Sequence, residues 1–198
     1  MALAGYYRIT SFGQMSAIPG FLLAYLLIFF ASAVQEEILF RGIIFRLLER
    51  VLGSWLAILL SAIAFGVSHL TTPHATWASA LAIAVTAGIA GAALYMLTRS
   101  LWWLIGFHCG WNFFEGPIFG AQVSGSITHP LFHAVITGPQ QWTGGFFGPE
   151  AGLVAIIIVG GVGLILLIMC VRRGRIITPR WMRQNSHSLQ HKPLSPSV

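Results

Sequence analysis

The stretch ASAVQEEILFRGIIF, residues Ala31–Phe45, decides how the chain is interpreted, because it places two glutamates and an arginine inside an otherwise apolar segment. The ten residues before it, FLLAYLLIFF, carry no charge, and a second apolar run follows it. Charged side chains are costly in the hydrocarbon part of a membrane and usually mark function there. The question is therefore what Glu36, Glu37 and Arg41 do inside such a segment.

The composition is that of a polytopic membrane protein. Of the 198 residues, 56% are hydrophobic and 8% are charged, whereas soluble domains carry about a quarter charged residues. The mean hydropathy is +0.79, and a soluble fold of this length could not bury so much apolar surface. The chain contains no aspartate, which excludes mechanisms that need an aspartate pair or an aspartate metal ligand. We expect an all-α transmembrane helix bundle with the active site inside it.

Five apolar segments predict about five membrane spans, since a bilayer core takes about 20 residues of helix. The segments cover residues 19–48, 54–70, 77–97, 101–119 and 151–171. We divide the chain into a polar lead (1–18), an intramembrane domain (19–171) and a basic tail (172–198) that we expect to be disordered. Arginines at alternate turnarounds and in the tail predict a cytoplasmic C-terminus and an external N-terminus. Such a tail fits anionic lipid rather than a nucleic acid.

The charged residues of the first span divide into a pair and a single acid. Glu37 and Arg41 lie one helical turn apart with the acid first, which is the favourable order for an ion pair. Glu36 points about 100° away around the helix, so Arg41 cannot serve both acids on equal terms. A buried carboxylate without a full partner suits a proton acceptor. The structural alternative for Glu36 is a second hydrogen bond within the bundle.

Two histidines and an asparagine follow on later spans. His69 lies near the end of the second span, His108 lies in the fourth, and Asn112 follows four residues later on the same helix face. At about 1.5 Å per residue, Glu36 and both histidines fall at similar depths in the membrane. A lone histidine is usually a hydrogen-bonded structural residue. Together, however, a carboxylate, imidazoles and an amide are what amide hydrolysis needs, namely a base for water and donors for the oxyanion.

These residues resemble the motifs of a known family. EEILFR (Glu36 to Arg41) has the form EExxxR, FGVSH (Phe65 to His69) the form FxxxH, and HCGWN (His108 to Asn112) the form HxxxN. In this order, on successive apolar helices, the motifs resemble the CPBP family of intramembrane proteases. That family includes the CAAX prenyl endopeptidase Rce1 and the bacterial Abi-type bacteriocin-processing or immunity proteins. The resemblance covers about residues 34–114.

The resemblance implies a role for each matching position. It implies that Glu36 activates water, that His69 holds or polarises this water, and that His108 and Asn112 form an oxyanion hole. It further implies that Glu37 and Arg41 support the site as a structural pair and that Phe65 is a packing residue.

A metal is the main alternative within this resemblance. Glu36, His69 and His108 form the ligand set of some catalytic zinc sites. If Glu36 bound zinc, another base would be needed, and Glu37 is committed to Arg41. The resemblance therefore favours a glutamate-dependent reaction with no required cofactor and leaves zinc as the alternative.

The expected function is hydrolysis of a peptide bond in a membrane-associated protein or peptide, lipidated or not. The absence of aspartate disfavours presenilin-like enzymes, and the absence of HExxH disfavours site-2-type metalloproteases. Two alternatives stay open: a non-catalytic scaffold or immunity-type protein of the same fold, and a small channel or proton-coupled transporter. We expect a multi-pass protein of a bacterial cell membrane whose partners are lipid and substrate. The short lead raises the further expectation of a homo-oligomer.

Overall fold

The computed structural model describes residues 1–14 and 18–182, and a long helical run dominates its first half. Helix α1 (Ile18–Glu37) continues through a first π-helical segment (Ile38–Phe45) into α2 (Arg46–Ser68). A short 3-10 turn ends the run at Thr71, 54 residues after its start. A π-helical turn is a local widening of an α-helix that is frequent at functional sites. The charged stretch of the sequence therefore lies where the helix changes geometry.

A break at Gly53 folds this run into a hairpin. The backbone angles of Gly53, φ 78° and ψ 170°, lie in a region that glycine enters without a steric penalty. Phe40 and Phe65, on opposite sides of the break, pack edge to face with ring centroids 5.0 Å apart. The two arms of the hairpin correspond to the first and second predicted spans.

The remaining helices complete the bundle. One continuous helix comprises α3 (Trp77–Ile83), a second π-helical segment (Ala84–Ile89) and α4 (Ala90–Thr98). The next consists of α5 (Leu101–Phe113) and a third π-helical segment (Phe114–Ile118), and the short α6 (Gln140–Thr143) precedes α7 (Leu153–Arg172). Helix α3 begins at a capping box in which Thr76 and Ser79 each accept the other's backbone N–H. This cap fixes where the chain re-enters the bundle after the second turnaround.

Three helices among the described residues are long and apolar enough to cross a membrane. They are Ile18–Thr71, Trp77–Thr98 and Leu153–Arg172. The first contains both arms of the hairpin, and α5, the fourth predicted span, is not among the three. The prediction of a mostly helical membrane protein is confirmed, whereas the number of spans stays a prediction.

A small sheet joins the N-terminal lead to the long loop before α7. Strand β1 (Tyr7–Phe12) pairs antiparallel with β2 (Phe132–Ile136), and the register is irregular between Ile9 and Ser11. The Tyr7 hydroxyl donates a hydrogen bond of 2.8 Å to the backbone oxygen of Phe119. The sheet therefore lies at the end of the bundle where α5 finishes. It is a local addition to the all-α fold class expected from the sequence.

The opposite end of the bundle is closed by the chain that follows α7. Ser54 donates its backbone N–H to the oxygen of Ile177 at 2.9 Å, and Ile177 donates its N–H to the Ser54 hydroxyl at 2.9 Å. Gly53 allows this approach, because a Cβ there would lie 2.8 Å from the Ile177 oxygen. Residues 172–182 of the predicted tail are thus described, and Ile177 is bound to the hairpin bend. The rest of the tail, 183–198, lies outside the described residues.

Three apolar clusters form the core, and the smallest consists of Ala33, Ile105 and Cys109. The first lies toward the Arg99 end of the bundle and includes Phe45, Ala57, Ile58, Ala92, Tyr95, Met96, Leu104 and Cys170. The second contains Phe40, Phe65, Ile83 and Phe147. Small residues allow close helix contact between them: a Cβ at Gly88 would lie 2.9 Å from that of Ala62. The second cluster borders the polar residues considered next.

Candidate active site

Glu37 is the most heavily bonded acid of the predicted site. Its carboxylate forms an ion pair with Arg41 at 3.0 Å, and His108 Nδ1 lies 3.0 Å from its Oε1 atom. The residue is 3% exposed, so the carboxylate is stabilised by these partners rather than by solvent. Glu37 therefore links the end of α1 to α5. The sequence predicted its ion pair with Arg41 but not its contact with His108.

Arg41 ties the first π-helical segment to the second. Its Nη2 donates to the backbone oxygen of Ala87 at 2.6 Å, and the guanidinium carbon lies 4.2 Å from the centre of the Phe65 ring. A Cβ at Gly91 would lie 2.5 Å from Nη2, so only glycine leaves room for the guanidinium. A buried arginine needs such compensation for its lost hydration. Arg41 thus holds Glu37 in place while packing three elements together.

Glu36 differs from Glu37 in having one carboxylate oxygen free of hydrogen bonds. Its Oε1 accepts a hydrogen bond of 2.8 Å from the Ser32 hydroxyl. Its Oε2 makes no hydrogen bond with the described residues and lies 4.0 Å from Nε2 of both His69 and His108. The side chain is 27% exposed, whereas that of Glu37 is 4% exposed. The structure therefore brings Glu36, His69 and His108 together around one point.

The other ring nitrogens set the tautomers of the two histidines. His69 Nδ1 lies 2.9 Å from the backbone oxygen of Phe65, which can only accept, so Nδ1 carries the proton. His108 Nδ1 faces the Glu37 carboxylate and carries a proton for the same reason. In the neutral imidazoles both Nε2 atoms are then hydrogen-bond acceptors directed at Glu36. Glu36 Oε2 and the two Nε2 atoms are thus three hydrogen-bond acceptors around one point, so a molecule bound between them must donate hydrogen bonds.

Phe65 lies at the centre of this arrangement. Its ring centroid is 4.8 Å from that of His69 and 6.4 Å from that of His108, and Arg41 stacks on it. The residue is 2% exposed. One aromatic ring therefore packs against both imidazoles and the guanidinium. This packing explains why a phenylalanine one turn before His69 suits the site.

Asn112 lies one turn beyond His108 on α5 and is half-buried. Among the described residues its side-chain amide has no hydrogen-bond partner. Its N–H groups are therefore not committed to another acceptor. The structure places it on the face of α5 that carries His108, as the spacing predicted, without bonding it to Glu36 or to either histidine.

The spacing of the donor atoms argues against a tetrahedral zinc site. Zinc–ligand bonds of about 2.0–2.1 Å would put neighbouring donor atoms about 3.4 Å apart. The Glu36 Oε2 atom is 4.0 Å from each histidine Nε2. No group of three His, Cys or carboxylate side chains in residues 1–14 and 18–182 has the arrangement of a metal site.

Two further buried acids, Glu115 and Glu150, were not predicted as site residues. Glu115 lies in the third π-helical segment, three residues after Asn112, and Glu150 lies in the turn before α7. Burial raises the pKa of Glu150 above its ordinary value, while the Ser124 hydrogen bonds and the nearby His69 and His108 oppose this shift. The spacing of Glu115 from Asn112 was a signal in the sequence. Glu150 had none, because only the fold brings it close.

Residues 18–114 match the family model described as type II CAAX prenyl endopeptidase Rce1-like. This part of the chain is similar to the Rce1-like family. The match contains all three motifs and confirms the resemblance predicted from them. It supports a protease-type enzyme with a CAAX-type intramembrane protease fold. No curated protein and no solved structure matches the chain.

Proposed function

We propose that this Rce1-like protein is an intramembrane endopeptidase that hydrolyses a peptide bond with water activated by Glu36. The observation that carries the proposal is the convergence of the Glu36 Oε2 atom with Nε2 of His69 and His108, at 4.0 Å from each. A separation of 4.0 Å is too long for a direct hydrogen bond but suits a water molecule bonded to both groups. Such a water would donate to Glu36 and to one imidazole.

Glu36 would act as the general base. It takes one proton from the water, and the resulting hydroxide attacks the carbonyl carbon of the scissile bond. When the carbon–nitrogen bond breaks, the same proton passes from Glu36 to the leaving amine, so that the carboxylate is restored. The Ser32 hydrogen bond to the other oxygen holds the carboxylate in orientation during both steps.

Asn112 is the best-suited donor for the oxyanion. Its amide N–H groups have no competing acceptor among the described residues, and it lies on the same face of α5 as His108. Neutral His108 presents an acceptor at Nε2, so it could join Asn112 as a donor only when doubly protonated. A positioned amide donor typically contributes about 10²–10³-fold to the rate of such reactions.

The proposed substrate is a membrane-associated protein or peptide, lipidated or not. The exposed helix faces are apolar, and the site lies among the ends of α1, α2 and α5 rather than in a separate soluble domain. We extend the proposal to a bacterial cell membrane with the C-terminus on the cytoplasmic side, and to self-association as a homo-oligomer. The proposed partners do not include a nucleic acid.

The test compares purified wild type with Glu36→Gln and Glu37→Gln on matched lipidated and unlipidated peptides. We expect Glu36→Gln to lose at least about 10²–10⁴-fold in kcat/KM, because glutamine has the same shape but cannot accept the proton. Its thermal unfolding should stay close to wild type, since among the described residues the only hydrogen bond of the Glu36 side chain is the one from Ser32. Normal cleavage by this variant would contradict the assignment of the base.

Two controls separate chemistry from folding and from a metal. Glu37→Gln should lower both activity and thermal stability, because it removes the buried partner of Arg41. A chelator should leave the wild-type rate unchanged. Loss of activity with chelator, restored by added zinc, would replace the glutamate-dependent proposal with a zinc-dependent one.

A further inference from the structure

Glu115 is a buried acid with no hydrogen-bond partner among the described residues. It is 9% exposed, and neither of its carboxylate oxygens is hydrogen-bonded. The Trp111 indole and the backbone N–H of Glu150 lie beside it without reaching ordinary hydrogen-bond geometry. Glu115 also lies at the wall of an apolar cleft of about 610 Å³. An ionised carboxylate in such surroundings would be strongly destabilised.

Glu150 is buried to the same degree, but it accepts hydrogen bonds of the kind that stabilise an ionised carboxylate. It is 7% exposed, and its Oε1 atom accepts two hydrogen bonds from Ser124, from the backbone N–H at 2.5 Å and from the hydroxyl at 2.6 Å. Hydrogen bonds to the charged form of a carboxyl favour that form. The donors around the two acids therefore differ in kind, although both acids are buried.

Packing places Glu150 close to the two histidines. Its neighbours Phe147 and Ala151 belong to the apolar cluster built around Phe65, whose ring contacts both His69 and His108. Glu115 approaches the same region from the third π-helical segment, where the backbone N–H of Glu150 lies beside its carboxylate and Pro149 shares its cleft wall. Two buried carboxyl groups thus lie within electrostatic range of each other beside the proposed active centre.

Ionisable groups around this pair are few. The histidines His69 and His108 lie within electrostatic range of Glu150, and Tyr7 shares the cleft wall with Glu115. Helices α3 and α6, which flank the turn containing Glu150, have no ionisable side chain, and those of α7 lie at its far end. Two like charges this close in a dry environment cannot both be ionised at low cost.

We propose that Glu115 and Glu150 form a singly protonated pair, with the proton on Glu115 and the charge on Glu150, and that this charge tunes the proposed active centre. The role in tuning rests on the proposed function; the protonation of the pair does not. In this proposal Glu150 is a positioning residue that raises the proton affinity of the groups around Glu36. Glu115 keeps the pair from carrying a second negative charge.

Infrared spectroscopy of the full chain in lipid tests the protonation without a substrate. Wild type at neutral pH should show the carbonyl absorption of a protonated carboxylic acid. Glu115→Gln should abolish this band, because the remaining Glu150 is held as an anion by Ser124. Glu150→Gln should shift the band, because the acid loses its charged neighbour. The Glu36→Gln variant shows whether Glu36 contributes to the same absorption band.

Glu49→Gln is the matched control for the infrared experiment. Glu49 is as deeply buried as the pair, at 3% exposure, but forms an ion pair with Arg99, whose Nη1 and Nη2 lie 2.5 and 3.2 Å from its oxygens. Its replacement should leave the band unchanged. Absence of the band from wild type, or its persistence in Glu115→Gln, would overturn the proposal. A band that appears only when sodium, potassium and calcium are removed would replace the shared proton with a bound cation.

The pH dependence of kcat/KM tests the tuning role. Removing a nearby negative charge weakens proton binding by the active centre, so both limbs of the profile should move to lower pH in Glu150→Gln, by on the order of one unit. They should not move in Glu115→Gln, which retains the charge, or in Glu49→Gln. Unmoved limbs in Glu150→Gln would reject the tuning role. If wild type cleaves no peptide, the proposed function fails and the infrared result still stands.

Discussion

The five glutamates of this chain lie in four different chemical settings. Glu37 and Glu49 are paired with arginines, and Glu150 accepts hydrogen bonds from a serine. Glu36 keeps one oxygen free, and Glu115 has no hydrogen-bond partner among the described residues. A buried acid is tolerated when it is paired, hydrogen-bonded or protonated. The two acids that are least compensated are therefore the ones from which proton chemistry is expected.

At the residue scale, Gly91→Ala should displace the arginine that supports the site. The added Cβ would lie 2.5 Å from Arg41 Nη2 and 3.0 Å from its guanidinium carbon. We expect a loss of about 1–3 kcal/mol in stability, as for other overpacked interiors. Because Arg41 positions Glu37 and through it His108, kcat/KM should also fall, by up to about 10²-fold. Thermal unfolding followed by tryptophan fluorescence, together with peptide cleavage, measures both effects.

Gly161→Ala is the control for this substitution. Gly161 lies within α7, and a Cβ there would meet no atom within 4 Å. Alanine should therefore be neutral or stabilising by up to about 1 kcal/mol through helix propensity. Equal losses in Gly91→Ala and Gly161→Ala would show that the arginine contact is not the cause.

At the element scale, the π-helical segments contribute directly to the site. The first contains Arg41, the second provides the Ala87 oxygen that Arg41 binds, and the third contains Glu115. A widened turn shifts the side chains that follow it around the helix axis relative to an α-helix. These segments thus aim side chains that regular 3.6-residue spacing would direct elsewhere.

Gly53→Ala should release the segment that follows α7 from the hairpin bend. Alanine at φ 78° is strained, and its Cβ would lie 2.8 Å from the Ile177 oxygen and 2.9 Å from Pro179. We expect a loss of about 1–3 kcal/mol and faster cleavage by trypsin after Arg175. Mass spectrometry of timed digests of the protein in detergent measures the rate.

Gly20→Ala is the corresponding control within α1, where a Cβ would meet no atom within 4 Å. It should leave cleavage after Arg175 at the wild-type rate. If Gly53→Ala also leaves that rate unchanged, the bonds between Ser54 and Ile177 do not hold the segment in solution.

The helices could be predicted from the sequence because their apolar runs and the Glu37–Arg41 spacing are local patterns. The convergence of His69 and His108 on Glu36 was expected from their similar depth along separate helices and from the family resemblance. The β1–β2 pairing, the proximity of Glu150 to the two histidines and the docking of Ile177 could not be predicted. Each of these interactions joins residues far apart in sequence, and the sequence around one partner gives no information about the other partner.

At the scale of the whole molecule, most of the described positive charges lie at one end of the bundle, whereas Arg8 in β1 lies at the other. The Glu49–Arg99 ion pair and the Ser54–Ile177 hydrogen bonds bring the first and third turnarounds next to the segment after α7. Arg46, Arg50, Arg172, Arg173 and Arg175 belong to these three regions. The connection from residue 119 to 152 contains no lysine or arginine and lies with the sheet at the other end. This asymmetry is what the positive-inside rule requires of a cytoplasmic C-terminus.

Labelling with a membrane-impermeant maleimide tests this orientation. Ile127, in the uncharged connection, is 79% exposed, and Arg173 is exposed after α7. The native Cys109 and Cys170 are 6% and 0% exposed, so they should react slowly and leave little background. We expect Ile127→Cys to be labelled in intact cells and Arg173→Cys only after the membrane is permeabilised. The reverse pattern would invert the topology and, because the proposed active site lies nearer the uncharged end, would change the side from which a substrate must approach it.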